Sequence, residues 1–283
     1  MLVGIFAEGW NRFHTFLSMN IGYKKGRIFM KDWEIVDSVP ELRSHHCQVW
    51  WARISDLQSW HYSLLNETER EKANLFRHSE DRARFMIGCA ISRLVLGKQL
   101  AMSPLQVPID RTCSVCKLAH GRPQLPVGMP QLSVSHSGER VAVAFTTSTP
   151  IGIDVEQINS NIDVLKMAVG VLTDIEIAQL MQLPIERRIE GFLTYWTRKE
   201  AILKATGEGL MMSPSNLTVS TPDHLPELLV FQDKSQLVET TTLMNLQPGS
   251  GYVASIALLN KDVIEMRQFD AGTLLQSTRL LLR

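Results

Sequence analysis

Asp154 and Glu156, in the stretch Ile151-Gly152-Ile153-Asp154-Val155-Glu156, are the first residues whose types and spacing could do chemistry. On a strand, residues two apart project from one face, so both carboxylates point the same way while Ile153 and Val155 turn to the core. Two close carboxylates repel unless a cation neutralises them. Mg²⁺ suits this role because it takes oxygen ligands and leaves part of its shell to water and phosphate. Asp-x-Glu alone is equally a solvated strand edge, so the metal reading needs a third ligand.

A third acid comes from Trp196-Thr197-Arg198-Lys199-Glu200-Ala201-Ile202-Leu203-Lys204-Ala205-Thr206-Gly207. The segment holds helix formers and ends at a glycine, which puts Trp196, Glu200 and Lys204 on one face. In isolation, Glu200 and Lys204 are an ordinary surface pair worth a few tenths of a kcal/mol. Ser135-His136-Ser137 suggests a hydrolase only superficially, since neighbours on a strand face opposite ways and cannot form a Ser–His pair. Cys113, Cys116 and His120 have metal-like spacing but supply three soft ligands where structural zinc takes four. A reduced loop is the expectation there.

These residues need strands and helices to carry them. Gln48-Val-Trp-Trp-Ala-Arg-Ile-Ser reads as a strand, and the region from Leu64 to Leu100 reads as helical. Asn66 with Glu69 forms a capping box, and Thr173 with Glu176 repeats it. Each box leads through a similar length to a phenylalanine, Phe85 or Phe192. Gly97-Lys-Gln-Leu-Ala-Met-Ser-Pro104 is then matched by Gly207-Glu-Gly-Leu-Met-Met-Ser-Pro214. The expected fold is therefore α+β, with two similar α+β halves in a pseudo-twofold arrangement. Residues 1–45 read as an N-terminal appendage, in which Met30 is an alternative start. Residues 46–149 and 150–262 read as the two halves, and residues 263–283 as a C-terminal tail.

Composition narrows the function. Lys plus Arg (29) equals Asp plus Glu (29) in 283 residues, so no global field favours nucleic acid, and an anion site must be local. Glu8 and Arg12 interrupt the first apolar residues, which speaks against a secretory signal. No apolar run is long enough to span a membrane. Four cysteines do not make a disulfide framework, so a reducing cytoplasm is expected.

Taken together, Ile151-Gly-Ile-Asp-Val-Glu156 and Trp196-Thr-Arg-Lys-Glu-Ala-Ile-Leu-Lys-Ala-Thr-Gly207 closely resemble the paired signatures of 4′-phosphopantetheinyl transferases. The similarity runs from about Gln48 to Leu259 and is to the longer, surfactin-synthetase-activating type, a monomer built as a pseudo-dimer. It implies a Mg²⁺-dependent transfer of the 4′-phosphopantetheine arm of coenzyme A to a serine of an apo carrier protein, which releases adenosine 3′,5′-bisphosphate. Asp154, Glu156 and Glu200 would hold the Mg²⁺, and Lys204 would sit on the phosphates. The base would be Glu200 or a metal-bound water. Ser135, His136, Lys72, Arg84 and Arg122 would contact coenzyme A. A lysine of some relatives, three residues before Lys72, is Glu69 here. Apo carrier proteins or carrier domains of fatty acid, polyketide, nonribosomal peptide or related synthases would be the partners, docking near residues 164–171. The rival reading is a coenzyme A-binding regulatory protein of the same fold without turnover.

Overall fold

The computed structural model describes residues 33–113, 116–118, 121–209, 212–260 and 265–277. Strand β1 (His46–Arg53) is followed by helices α1 (His61–Leu64), α2 (Glu67–Leu75) and α3 (Ser79–Gln99), then by the hairpin β2 (Gln131–Ser137) and β3 (Arg140–Thr146). The plan then repeats. Strand β4 (Ile151–Gln157) leads to α4 (Val164–Val171), α5 (Asp174–Gln182) and α6 (Arg188–Thr206). A small hairpin, β5 (Leu217–Val219) and β6 (Leu228–Phe231), and α7 (Gln236–Thr240) precede the second long hairpin, β7 (Thr242–Asn245) and β8 (Tyr252–Leu258). Strand β9 (Glu265–Asp270) and α8 (Gly272–Gln276) follow.

The sheets carry the duplication. One has the order β2-β3-β1-β9 and the other β4-β8-β7, so each half places its first strand beside the second strand of its own hairpin. Both pairings are antiparallel. Trp50 and Ala52 of β1 face α3 in the first core, while Cys47, Val49 and Trp51 meet Ile151, Ile153 and Val155 of β4 in a core shared by the two sheets. The alternation read for β4 is therefore what the fold uses.

A buried ionic clamp also occurs twice. The capping-box residue Glu69 pairs with Arg93 of α3 at 2.7 Å, and Arg93 donates to the carbonyls of Pro104 (3.1 Å) and Val107 (3.3 Å). In the second half, Glu176 pairs with Lys199 of α6 at 2.5 Å, and Lys199 donates to the carbonyls of Pro214 (3.1 Å) and Leu217 (2.9 Å). Each cap glutamate is thus tied through a long-helix cation to the loop after the shared Met-Ser-Pro. The repeated motifs are spaced as they are because they meet in space.

The ends of the described region differ from expectation. Residues 265–276 are not a tail: β9 pairs in parallel with β1, Trp50 opposite Phe269, and Leu274 and Leu275 of α8 enter the first core. The Trp51 indole donates to Gln268 at 2.9 Å. Residues 33–45 likewise belong to the first half. Glu34 exchanges backbone bonds with Gln268 and Asp270, and Val39 and Leu42 are buried. The short sequence Glu-Met-Arg-Gln-Phe-Asp has too little apolar alternation to announce a strand.

What positions the functional region is the approach of α6 to β4. A Cβ on Gly152 would lie 1.9 Å from the Ala201 carbonyl oxygen and 2.5 Å from the Ala205 nitrogen, so helix and strand backbones are in direct contact. Gly152→Ala should therefore lower the unfolding free energy by about 1–3 kcal/mol as an overpacking change. Gly170→Ala, where an added methyl meets nothing, should be neutral or stabilising by up to about 1 kcal/mol. Lys199→Met, which strands the buried Glu176 carboxylate, should cost about 3–5 kcal/mol, with much of the loss recovered by the Glu176→Gln double variant. Urea denaturation measures all four.

Candidate active site

Because Gly152 lets α6 lie on β4, the helix face bearing Glu200 and Lys204 sits over the strand face bearing Asp154 and Glu156. The Lys204 ammonium donates to Asp154 Oδ1 at 2.6 Å, to the Ile153 carbonyl at 3.0 Å and to Ser135 Oγ at 3.2 Å. Ser135 Oγ itself donates to Asp154 Oδ1 at 2.8 Å. Glu156 accepts from Ser137 Oγ at 2.7 Å on one oxygen and from the Trp196 indole at 3.3 Å on the other.

Asp154 and Glu200 are only 4% and 7% exposed, and each keeps one buried oxygen, Asp154 Oδ2 and Glu200 Oε1, without a hydrogen-bond partner. Such oxygens are costly to bury. Burial, and then the neighbouring Asp154, push the Glu156 carboxyl above its usual range. Burial also raises Glu200, helped by Asp154 and Glu156 and opposed by Lys204. Three acids thus face one ammonium. Among the described residues, no three His, Cys, Asp or Glu side chains converge into a finished cation cage.

Beside the acids opens a cavity of about 340 Å³ lined by Lys72, Arg84, Ser135, His136, Asp154, Glu156 and Lys204, seven of the nine residues singled out in the sequence. Its far wall is basic. Lys72 and Arg111 both lie 5.3 Å from the Phe85 ring centre, and burial, then the charge of Arg111, pull the Lys72 ammonium below its usual range. Two cations held this close favour an anion between or beside them. Arg84 of α3 donates to the Gly138 carbonyl and to Asp81, each at 2.6 Å. His136 is exposed at the rim, where the atoms crowding it, and then the charge of Arg84, lower its proton affinity.

The remaining two expected residues lie outside the cavity lining. Glu200 stands close enough to Asp154 and Glu156 to feel both charges. Arg122 donates to the Lys204 carbonyl at 2.9 Å and packs against Gly207, where φ is +82°, so it closes the C-terminus of α6. Only its neighbour Pro123 reaches the cavity. Glu69 is fully engaged with Arg93 and Arg111. Arg111, Ser137 and Trp196 are the additional residues of the site. Arg111 had no local signal, since it sits in a loop beside an isolated bridge between Asp110 and Gln124. His120 of the cysteine-rich loop lies outside the described residues.

Comparison with known proteins identifies the family. The 4′-phosphopantetheinyl transferase superfamily pattern matches residues 150–257. The chain is 31% identical over 200 residues to the 4′-phosphopantetheinyl transferase HetI of Nostoc sp., covering 69% of this chain and 79% of that protein. It is 28% identical over 159 residues to the 4′-phosphopantetheinyl transferase Sfp of Bacillus subtilis, covering 56% and 66%. Among solved structures, the holo-[acyl-carrier-protein] synthase of Thermotoga maritima aligns with a TM-score of 0.34 at 23% identity, over 40% of this chain and 64% of that one. The Helicobacter pylori enzyme in complex with coenzyme A aligns with a TM-score of 0.31 at 20% identity, over 39% and 99%. The chain belongs to the 4′-phosphopantetheinyl transferase family and is a transferase that moves the phosphopantetheine arm of coenzyme A to a carrier protein.

Proposed function

We propose that this transfer takes place in the cavity between β2, β4, α3 and α6, and that Asp154, Glu156 and Glu200 hold a Mg²⁺ ion there. The observation that carries the proposal is the pair of buried, unpartnered oxygens on Asp154 and Glu200, set against one ammonium. A hard divalent cation supplies what those oxygens lack, and when bound it neutralises phosphate charge and favours departure of the nucleotide. Lys72, Arg84 and Arg111 form the anion-binding wall, and Arg is suited to it because its fork spans two phosphate oxygens.

The reaction joins the hydroxyl oxygen of a carrier serine to the phosphorus bearing the pantetheine. It breaks the bond from that phosphorus to the oxygen of the nucleotide phosphate, which leaves with the electron pair as adenosine 3′,5′-bisphosphate. Lys204 turns from Asp154 to the phosphates to offset the charge on the departing oxygen. Glu200, placed among the acids, is a candidate to receive the serine proton. The first half supplies the basic wall and the second half the acids, which supports a monomeric enzyme.

The carrier docks on α4, close to the acids in sequence. Leu165 and Val169, one helical turn apart, are 59% and 76% exposed, while Ala168 and Val171 hold the helix to the core. An exposed apolar pair of this kind is a contact for a partner.

Incubation with coenzyme A, Mg²⁺ and a panel of apo carrier proteins should add the phosphopantetheine mass to one serine, and the absence of any gain with folded protein would overturn the reading. Glu200→Gln should abolish that gain. In metal-free buffer it should also raise stability by about 1 kcal/mol near neutral pH, because it removes a buried charge repelled by Asp154 and Glu156. The sign follows from linkage. The folded carboxyl binds its proton more tightly than the unfolded one, so wild-type stability declines as pH rises above 4.5 through the raised value. The variant should show a shallower decline. Leu165→Glu combined with Val169→Glu should raise KM for the carrier about tenfold or more, at the cost of one or two lost apolar contacts, and leave KM for coenzyme A unchanged.

A further inference from the structure

The two halves are joined between β2 and β4 by side chains. Ser133, Ser135 and Ser137 alternate along β2, and their Oγ atoms accept from the amides of Ile153 (3.1 Å), Val155 (3.3 Å) and Gln157 (3.1 Å) on β4. The constant offset of 20 residues makes this a parallel ladder in which a hydroxyl takes the place of each carbonyl. Each hydroxyl retains a proton to donate. Ser137 Oγ gives its proton to Glu156 Oε2 at 2.7 Å, while the other oxygen of Glu156 takes the Trp196 indole at 3.3 Å. Among the described residues, the Ser133 hydroxyl has only the amide bond.

We propose that Ser137 is a positioning residue: it fixes the orientation of the Glu156 carboxylate and so sets the affinity of the acid cluster for its divalent cation. This inference rests on the metal reading above. Glu156 is only partly buried and lies near the end of β4, where a free carboxylate could turn about its terminal bonds. One donor on each oxygen removes that freedom. Ser137 is itself well placed to do this. Gly138 beside it has a φ of +52°, and an added Cβ there would meet Gln157 Oε1 at 2.4 Å and the Tyr252 hydroxyl at 2.6 Å. The turn is pressed against the end of β4, and the serine cannot drift from its partner.

The test is Mn²⁺ titration of the full chain, with and without coenzyme A, followed by the loss of the free-ion electron paramagnetic signal. Ser137→Ala should weaken half-saturation about 10-fold or more, as expected for loss of a hydrogen bond to a metal-ligating carboxylate. KM for coenzyme A should stay unchanged, and saturating Mg²⁺ should restore most of kcat. Ser137→Thr, which keeps the hydroxyl, should restore the wild-type midpoint. Ser133→Ala removes the same kind of rung without touching an acid, so it should lower the melting temperature yet leave the midpoint within twofold. Equal midpoint shifts in Ser133→Ala and Ser137→Ala would reduce Ser137 to a sheet-joining role and overturn the proposal. No shift in Ser137→Ala alongside a large shift in Glu156→Gln would also overturn it and leave the metal reading intact. No shift in either variant would overturn both.

Discussion

The contact of two backbones at Gly152 is the constraint on which the rest of the site depends. The Ala201 carbonyl and the Ala205 amide of α6 occupy the space where any other residue would carry its side chain. A helix normally rides about 10 Å from a neighbour because side chains intervene. Here the separation collapses, and short acids on a strand come within reach of an acid and a base one turn apart on a helix. Asp154 is held by Lys204 and Ser135 at once, from a helix and from a strand of the other half. The acid cluster is thus a product of close packing as much as of residue choice.

Duplication supplies the scaffold, and asymmetry supplies the chemistry. Both halves carry the same clamp of cap glutamate, long-helix cation and loop carbonyls. The faces that the two first strands turn to their helices differ completely. On β1 that face carries Trp50 and Ala52, packed into an apolar core. On β4 the corresponding face carries Gly152, Asp154 and Glu156. The first half gave up its strand face to packing and contributes cations from α2, α3 and the loop at Arg111 instead. The acids therefore reach the cavity from the second half, and all its lining cations but Lys204 from the first, so neither half could provide it alone.

The parts of this arrangement that were legible in the sequence are those set by local periodicity. Asp154 and Glu156 two apart, Glu200 and Lys204 four apart, and the capping boxes at Asn66 and Thr173 follow from strand and helix geometry, and each appears where the spacing puts it. What spacing could not convey is partner choice across the fold. Ser135 has its hydroxyl committed to Asp154 and the Val155 amide, and Arg122 closes α6 in place of lining the cavity. Arg111 enters through a loop with no periodic signal, and its stacking on Phe85 is a contact between residues 26 positions apart in the sequence. Strand β9 was hidden for the same reason, since its identity comes from its partner β1 and not from its own weak pattern.

That late strand has a consequence for how the chain is made. Trp51 and Gln268 are 217 residues apart, and every residue of the second half lies between them. As the polypeptide leaves the ribosome, β1 can pair with β3 early, but its other edge stays bare until the entire second half has been synthesised. Unpaired edges of this kind invite association with other chains, and pairings of such long range form slowly. Completion of the first sheet must therefore wait for synthesis of the second half, and truncations that spare every residue of the cavity but remove β9 would release nascent protein with an open, aggregation-prone flank.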